Sequence, residues 1–338
     1  MNIESYKKCS SAISLQGREK SVRKSSIRAH DGGVDDLASL LMLLSYEEQG
    51  LIELVGVGVV PADSYLEPAV TATRKIINRF STHHDLLVSA SDAKSSDPFP
   101  KEWRMDLFTV DALPILNEFG EGDTELSYNT AADDLASILA EATEPITLVF
   151  TGPVSDLGAV LQRDPSLSAK IDRLVVMAGT FGVGNIAEPE QDGTAEWNVF
   201  WDPQAFKIVF DSDIKIQMVG LESTHEVPLT PADRLRWAKL RSHPVMDFVG
   251  QAYATVPVLT HFETNSTYFL WDVLTTAYAQ KPELVETKMM NVDVIPTGES
   301  RGRTFETPEG REIEFVYHVN HDAFFTFFEE TMMAMKHY

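Results

Sequence analysis

Cysteine, basic side chains and long apolar runs are all scarce in this chain of 338 residues. The single Cys9 excludes an intramolecular disulfide framework and a zinc site built from several cysteines. No apolar run approaches the roughly 18 residues of a membrane-spanning helix. The 28 lysines and arginines stand against 51 acidic residues, and the net charge of −23 argues against nucleic acid as a partner. Small neutral molecules and cations remain as candidate ligands.

Basic residues are concentrated at the N-terminus. Residues 1–30 contain seven lysines and arginines and two glutamates, a local net charge of +5, together with many serines. The segment lacks the apolar core of a secretory signal. We interpret residues 1–28 as a basic tail, with an organellar targeting leader as the alternative, and residues 29–338 as one folded domain. The expected location is cytoplasmic.

Short apolar runs alternate with helical patterns along the rest of the chain. Leu51–Val60 and Leu174–Ala178 are typical of strands buried on both faces, and 288–296 and 311–318 predict a β-hairpin. The alternation indicates an α/β protein, a single domain with a mostly parallel central sheet flanked by helices. Ligands of such sheets bind beyond the carboxyl ends of the strands. The residues that follow each apolar run are therefore the candidates for function.

An acidic turn follows the first predicted strand end. Asp31 is separated from Asp35 and Asp36 by two glycines and a valine, and a helix begins near Asp35. One aspartate here is explained as a helix N-cap, which also favours the positive end of the helix dipole. Three carboxylates at one junction repel one another, and they suit a hard cation such as Ca²⁺, which binds oxygen ligands. The sequence alone leaves both interpretations open.

Polar and aromatic residues follow the later strands as well. Ser155 comes after the run 146–150, where it either caps a helix or belongs to a turn with a free carbonyl. Asn185, Glu196 and Asn198 offer the donors and acceptors that sugar hydroxyls need, or they form a polar surface loop. Asp272 begins a helix directly after Trp271.

Taken in order, these residues resemble the inosine–uridine-preferring nucleoside hydrolase superfamily, from about His30 to at least Arg303. The resemblance implies a Rossmann-like fold and Ca²⁺-dependent hydrolysis of the N-glycosidic bond of nucleosides. It also implies a nucleoside as the small-molecule partner, no membrane partner, and a homo-oligomer, either a dimer or a tetramer.

The resemblance also implies roles for single residues. Asp31 would act as general base, and Ca²⁺ would be held by Asp31, Asp36, Asp272 and the main-chain carbonyl of Ser155. The ribose would be bound by five further residues, namely Asp35, Met177, Asn185, Glu196 and Asn198. Asp63 would lie near the ribose or the base.

Three features resemble the branch of the superfamily that prefers inosine, adenosine and guanosine. Trp271 precedes Asp272 where the non-specific branch carries a histidine, the loop around Trp103 resembles one that places a second indole over the base, and the approach to Glu196 is long. Leaving-group activation would then fall to the aromatic residues, with Trp271 in a catalytic role. Pyrimidine nucleosides and other N-ribosides remain the alternative substrates.

One position departs from the family pattern. Ala29 stands where the family has an aspartate that supports the site from behind, and the strand before it is polar and basic. Either this first strand is poorly formed, or the protein is a catalytically weak relative that binds nucleosides or Ca²⁺. His225 also follows a strand end; it either faces the site or, as we favour here, is a hydrogen-bonded structural residue.

Overall fold

The computed structural model describes residues 24–83, 85–122, 124–255 and 268–338. The strands of these segments form one sheet. They are β1 (Lys24–His30), β2 (Ile52–Val59), β3 (Val88–Ala90), β4 (Leu126–Thr130), β5 (Ile146–Phe150), β6 (Ile171–Met177), β7 (Ile216–Val219), β8 (Val285–Val294), β9 (Thr304–Glu306) and β10 (Arg311–Val319).

Helices of the described segments connect most of these strands. They are α1 (Val34–Glu48), α2 (Leu66–Phe80), α3 (Lys101–Arg104), α4 (Asp106–Asp111), α5 (Pro114–Asn117), α6 (Ala131–Glu141), α7 (Ser155–Arg163), α8 (Trp197–Trp201), α9 (Pro203–Phe210), α10 (Leu221–Thr224), α11 (Pro231–Leu240), α12 (Pro244–Thr255), α13 (Trp271–Gln280) and α14 (His321–Ala334). Short 3₁₀ turns occupy Pro165–Lys170 and Pro282–Leu284. Within the described part of the chain, no helix is long and apolar enough to cross a bilayer.

The strand order is β4-β3-β2-β1-β5-β6-β7-β10-β8-β9, and pairing is parallel from β4 to β10. The predicted mostly parallel α/β sheet is therefore confirmed. The antiparallel pairing of the two C-terminal segments is confirmed too, with β10 beside β8. The connection between them contributes an extra strand, because β9 pairs with the other edge of β8.

Apolar side chains cover both faces of the sheet. One layer contains α1, α2 and α12–α14, and the other contains α6, α7 and α9. Residues 34–47 of α1 are buried on every side. A helix that is apolar all round belongs inside the protein, and its burial fixes the position of the turn that precedes it.

The first strand is well formed, so the expectation of a poorly formed strand is wrong. β1 pairs with β2 on one side and with β5 on the other, and Ser26 to His30 are buried. Our boundary at residue 29 therefore falls inside β1, which begins at Lys24. The polar residues are tolerated because Arg28 and His30 find buried partners, described below. The rest of the tail, residues 1–23, lies outside the described segments.

The position of β1 determines where a ligand site forms. The chain passes from β1 to β2, β3 and β4 on one side, and then crosses to β5, β6 and β7 on the other side. The direction of winding thus reverses between β1 and β5, and ligands of open α/β sheets bind at this reversal, beyond the carboxyl ends of the strands. Asp31 follows β1 there, and Thr151 follows β5.

Candidate active site

A cavity of about 330 Å³ opens at this edge of the sheet. Its size falls in the range of small-molecule sites. Ten of the twelve residues that we selected from the sequence line it, namely Asp31, Asp35, Asp63, Trp103, Met177, Asn185, Glu196, Asn198, Trp271 and Asp272. Asp36 and Ser155 do not.

Two glycines allow the turn that positions the aspartates. Gly32 has a φ of +90°, and a Cβ atom there would lie 2.8 Å from the side chains of Ser64 and Ala69. A Cβ atom on Gly33 would lie 3.0 Å from carboxylate oxygens of Asp35 and Asp63. Glycine adopts the positive φ of residue 32 freely, and the missing side chain at residue 33 leaves room for the carboxylates to lie close together.

Asp36 stabilises the acidic turn through hydrogen bonds to its backbone. Its Oδ2 accepts backbone N–H groups of Gly32 and Gly33 at 2.9 and 2.8 Å, and its Oδ1 accepts Arg28 at 2.8 Å and the hydroxyl of Thr151. Burial raises the pKa of Asp36, but the charges of His30 and Arg28 and these hydrogen bonds outweigh it and lower the pKa to about 2. Burial also lowers the pKa of His30 to about 4, so Arg28 is the cation that remains near neutral pH.

The other carboxylates at the turn have raised pKa values. Burial, followed by repulsion from Asp36, raises the pKa of Asp35 to about 7, although Tyr268 donates a hydrogen bond of 2.9 Å to Asp35 Oδ1. Burial and neighbouring carboxylates raise the pKa of Asp31, Asp63 and Asp272 well above the usual range. Negative charge at this end of the cavity is therefore under-compensated by the protein's own cations.

This donor set fits a hard divalent cation. The groups at the turn are carboxylate oxygens, and a bound cation would offset the repulsion that raises their pKa values. Within the described segments, no three acidic, histidine or cysteine side chains form a ready-made metal cage. The fit accordingly rests on the chemistry and charge of the donors.

Thr151, which the sequence analysis did not select, lines the cavity, whereas Ser155 does not. Ser155 is the first residue of α7, and its hydroxyl donates to Asp202 at 2.6 Å, away from the cavity. Thr151 directly follows β5, lines the cavity and bonds to Asp36. The expectation for Ser155 concerned its main-chain carbonyl as a metal ligand, and it stays a prediction.

Polar groups after β6 form a second part of the cavity. Glu196 caps α8 and accepts backbone N–H groups of Asn198 at 2.8 Å and Gly179 at 2.9 Å. Burial raises its pKa to about 7. Asn198 donates to the carbonyls of Thr151 and Met177 at 3.0 and 3.2 Å, so it connects the ends of β5 and β6. These residues are held rigidly at positions where they can contact a polar ligand.

Two aromatic walls enclose the rest of the cavity. On one, Trp103 packs edge-on against Trp197, with ring centroids 5.8 Å apart, and Phe99 packs against both. On the other, Trp271 packs against Tyr268 at 4.9 Å and Phe269 at 5.5 Å. Trp103 and Trp271 are both half-buried and line the cavity. Trp197 is buried in the first wall and also lines the cavity.

Several further residues line the cavity without having been selected from the sequence. They are Phe99, Asp106, Leu107, Thr151, His225, Tyr268 and Phe269. Tyr268 and Phe269 lie three and two residues before Trp271, so their proximity in the sequence to a selected residue was an available signal. His225 lacks the hydrogen-bond partner that a structural role requires within the described segments, and partial burial lowers its pKa against the charge of Glu222. The structural interpretation of His225 is wrong.

Comparison with known proteins gives one consistent family. The family model of the inosine-uridine preferring nucleoside hydrolase matches residues 27–326. The crystal structure of the inosine-uridine preferring nucleoside hydrolase from Bacillus anthracis has 47% sequence identity and a TM-score of 0.85, and the match covers 91% of this chain and 99% of that one.

More distant matches differ in their substrates. A purine-preferring ribonucleoside hydrolase from Gardnerella vaginalis shares the fold, with a TM-score of 0.74 at 23% identity over 92% of this chain and 99% of that one. The pyrimidine-specific ribonucleoside hydrolase RihA from Klebsiella pneumoniae (strain 342) is 36% identical over 162 residues, which are 47% of this chain and 50% of that protein. The chain thus spans about half the length of the curated relatives that it matches.

Proposed function

The chain belongs to the inosine-uridine preferring nucleoside hydrolase family, and on that basis we propose that it hydrolyses purine ribonucleosides to ribose and the free base. The observation that carries the proposal is a single cavity in which buried carboxylates face two aromatic walls. Cleavage of an N-glycosidic bond places positive charge on the sugar ring, as in other glycoside hydrolysis. Anionic groups at one end and aromatic rings at the other suit a ribose and a base, respectively.

Calcium is the proposed cofactor, because the groups near the acidic turn are oxygen donors that suit a hard divalent cation. Asp31 and Asp272 line the cavity, Asp36 lies directly behind Asp31, and Thr151 adjoins Asp36. These residues would hold the ion, together with the main-chain carbonyl of Ser155. A bound Ca²⁺ would supply positive charge that binds sugar hydroxyls and polarises a water molecule.

Asp31 is the proposed general base, which takes a proton from the attacking water. Its carboxylate is buried and accepts one hydrogen bond, of 3.3 Å, from the backbone of Asp63. Asp31 also lines the cavity, where its carboxylate can come within hydrogen-bond reach of a water molecule, as a general base must.

The ribose would be bound by Asp35, Met177, Asn185, Glu196 and Asn198. Hydrogen bonds to the backbone fix several of these side chains in place. The free energy of binding the sugar can therefore be used to distort the ribose ring toward the transition state. Asp63 has a buried Oδ1 atom with no hydrogen-bond partner in the described segments, and this atom would accept a ribose hydroxyl or a base N–H group.

The base would lie between the aromatic walls. Trp103 and Trp271 belong to different walls, so each wall offers the base an indole on which to stack. Stacking of this kind contributes about 0.5–1.5 kcal/mol per pair. Pyrimidine nucleosides are the competing substrates, since relatives that match this chain carry pyrimidine-specific or inosine-uridine names.

A weak nucleoside-binding relative is the second candidate, and Ala29 favours it. Ala29 lines a small cavity beneath the site, and Asp156 lies in the same cavity with one carboxylate oxygen unpaired in the described segments. Asp156 thus offers a buried carboxylate in the same cavity as Ala29, where the family's aspartate is missing from β1. We therefore favour an active enzyme over a weak one.

Incubation with inosine and measurement of free ribose test the proposal. The full chain should release ribose and hypoxanthine in equal amounts, and the Asp31→Asn variant should be slower by about 10²–10⁴-fold. The matched control is Asp322→Asn, whose side chain is 99% exposed and distant from the cavity lining. Binding of inosine without ribose release would favour the second candidate, and near wild-type turnover by Asp31→Asn would exclude Asp31 as the base.

A further inference from the structure

His225 lines the cavity directly after helix α10, which contributes no residue to the proposed reaction. It follows α10, whose four residues come directly after β7 and Gly220. The residue is solvent-exposed, and its ring lines the same cavity as Asp31 and Trp271.

The ring of His225 lies on the wall to which Trp271 belongs. It packs on Phe269 with centroids 4.7 Å apart and an angle of 34° between the planes, and Phe269 in turn packs on Trp271. Backbone hydrogen bonds hold the two segments together, from Leu229 to Tyr268 at 2.8 Å and from Leu270 to Val227 at 3.1 Å. His225 is therefore fixed on the side of the cavity where the base is proposed to bind.

The ring nitrogens of His225 have no hydrogen-bond or ion-pair partner in the described segments. Other histidines of those segments are engaged: His30 with Thr73, His83 with Glu47, His243 with a backbone carbonyl, and His318 with Glu226. Near neutral pH an imidazole with a lowered pKa is uncharged and carries one N–H group. At His225 this N–H group is free to meet a ligand.

We propose that His225 donates a hydrogen bond from its ring N–H group to the leaving base; this role rests on the proposed function. When the bond between C1′ and the base nitrogen breaks, its electron pair stays on the base, which becomes negatively charged. The water oxygen bonds to C1′, and its released proton goes to Asp31. A donor aimed at the base stabilises the developing charge, as uncharged histidines do for oxyanions in other enzymes, and solvent later supplies the proton that neutralises the base.

The test compares two substrates whose leaving groups differ in their need for a donor. Inosine releases a basic purine anion, whereas 4-nitrophenyl β-D-ribofuranoside releases a phenolate that is stable without help. For His225→Ala, kcat with inosine should fall about 10- to 100-fold, the loss expected for a hydrogen bond to a charged group. With the nitrophenyl riboside it should change less than about threefold on the same reasoning. His225→Gln, which keeps an N–H donor, should recover part of the loss.

A histidine outside the cavity lining provides the control. His321 is exposed at the start of α14 and does not line the cavity, so His321→Ala should leave both rates unchanged. Unchanged kcat for inosine in both His225 variants, or an equal loss with both substrates, would overturn the role. If the wild-type protein released no ribose from either substrate, the proposed function itself would fail, and this result is distinct from both.

Discussion

The guanidinium of Arg28 lies 2.8 Å from Asp36 Oδ1, and both side chains are fully buried beneath the acidic turn. Arg28 also donates to the hydroxyl of Thr276 at 3.3 Å, so it links β1 to α13. A basic residue that seemed to belong to the N-terminal tail is thus the internal counter-charge of the site. The pair explains how a polar strand occupies the centre of the sheet.

Removal of Arg28 should therefore destabilise the fold. Arg28→Met leaves Asp36 buried without its cation, and loss of one partner of a buried pair costs about 3–5 kcal/mol in the free energy of unfolding. The control is Arg163→Met, because the Arg163–Asp133 pair is more than half exposed, and such pairs contribute less than about 1 kcal/mol. Denaturant unfolding measures both; equal losses in the two variants would contradict the counter-charge role.

The sequence predicted those parts of the site that are contiguous in the chain. The spacing of Asp31, Asp35 and Asp36 around two glycines was enough to identify the turn, because the backbone there allows little else. The alternation of apolar runs likewise predicted the sheet. These signals are local, and local patterns are what a single sequence displays.

Contacts between distant segments could not be predicted in the same way. Arg28 is polar and lies in a strand whose partners, Asp36 and Thr276, appear only in the folded chain. His225 and Phe269 meet through backbone pairing of segments more than 40 residues apart. Thr151 and Ser155 are chemically similar, and only the geometry of the turn separates them.

Calcium should bind and stabilise the protein independently of activity. After thorough chelation, addition of Ca²⁺ should raise the unfolding temperature, since a ligand at 100 times its dissociation constant stabilises by about 2.7 kcal/mol. Elemental analysis should find one ion per chain. Asp272→Asn should abolish the shift, whereas the distant Asp322→Asn should retain it. The cofactor proposal does not survive if Ca²⁺ leaves the melting curve of the wild-type protein unchanged.

Replacement of Trp271 should affect purine nucleosides selectively. Trp271→Ala removes the ring on one side of the base, and kcat/KM for inosine should fall by about tenfold, the equivalent of one stacking interaction. Trp271→Phe, which keeps an aromatic face, should lose less. Both variants should retain Ca²⁺-dependent stabilisation, because the indole contributes no ligand. A loss of metal binding in Trp271→Phe would instead indicate a structural role.

Glu196 should make stability depend on pH. Burial raises its pKa from 4.5 to about 7 in the folded protein, so its proton is retained longer when folded than when unfolded. The raised pKa therefore stabilises the folded protein fully below pH 4.5, and this contribution to the free energy of unfolding is lost as the pH rises through 7. The shift corresponds to about 3 kcal/mol. Relative to wild type, Glu196→Gln should therefore become progressively more stable between pH 5 and pH 8.

Denaturant unfolding of the wild-type protein and of Glu196→Gln, each at pH 5 and pH 8, tests this expectation. The quantity to compare is the difference in the free energy of unfolding between the two proteins at each pH. The matched control is Glu330→Gln, which replaces an exposed glutamate on α14. The difference in the free energy of unfolding between this variant and the wild-type protein should be the same at pH 5 and pH 8. If the wild-type protein and Glu196→Gln differ by the same amount at pH 5 and pH 8, the buried carboxylate does not titrate as described.

The specificity constants for inosine and for uridine, measured on one calcium-saturated preparation, decide whether the protein prefers purine nucleosides. We expect ribose release from inosine with a kcat/KM at least about tenfold above that for uridine, because a purine presents more surface for stacking on the two aromatic walls. Comparable values for the two nucleosides, or no ribose from either, would contradict it.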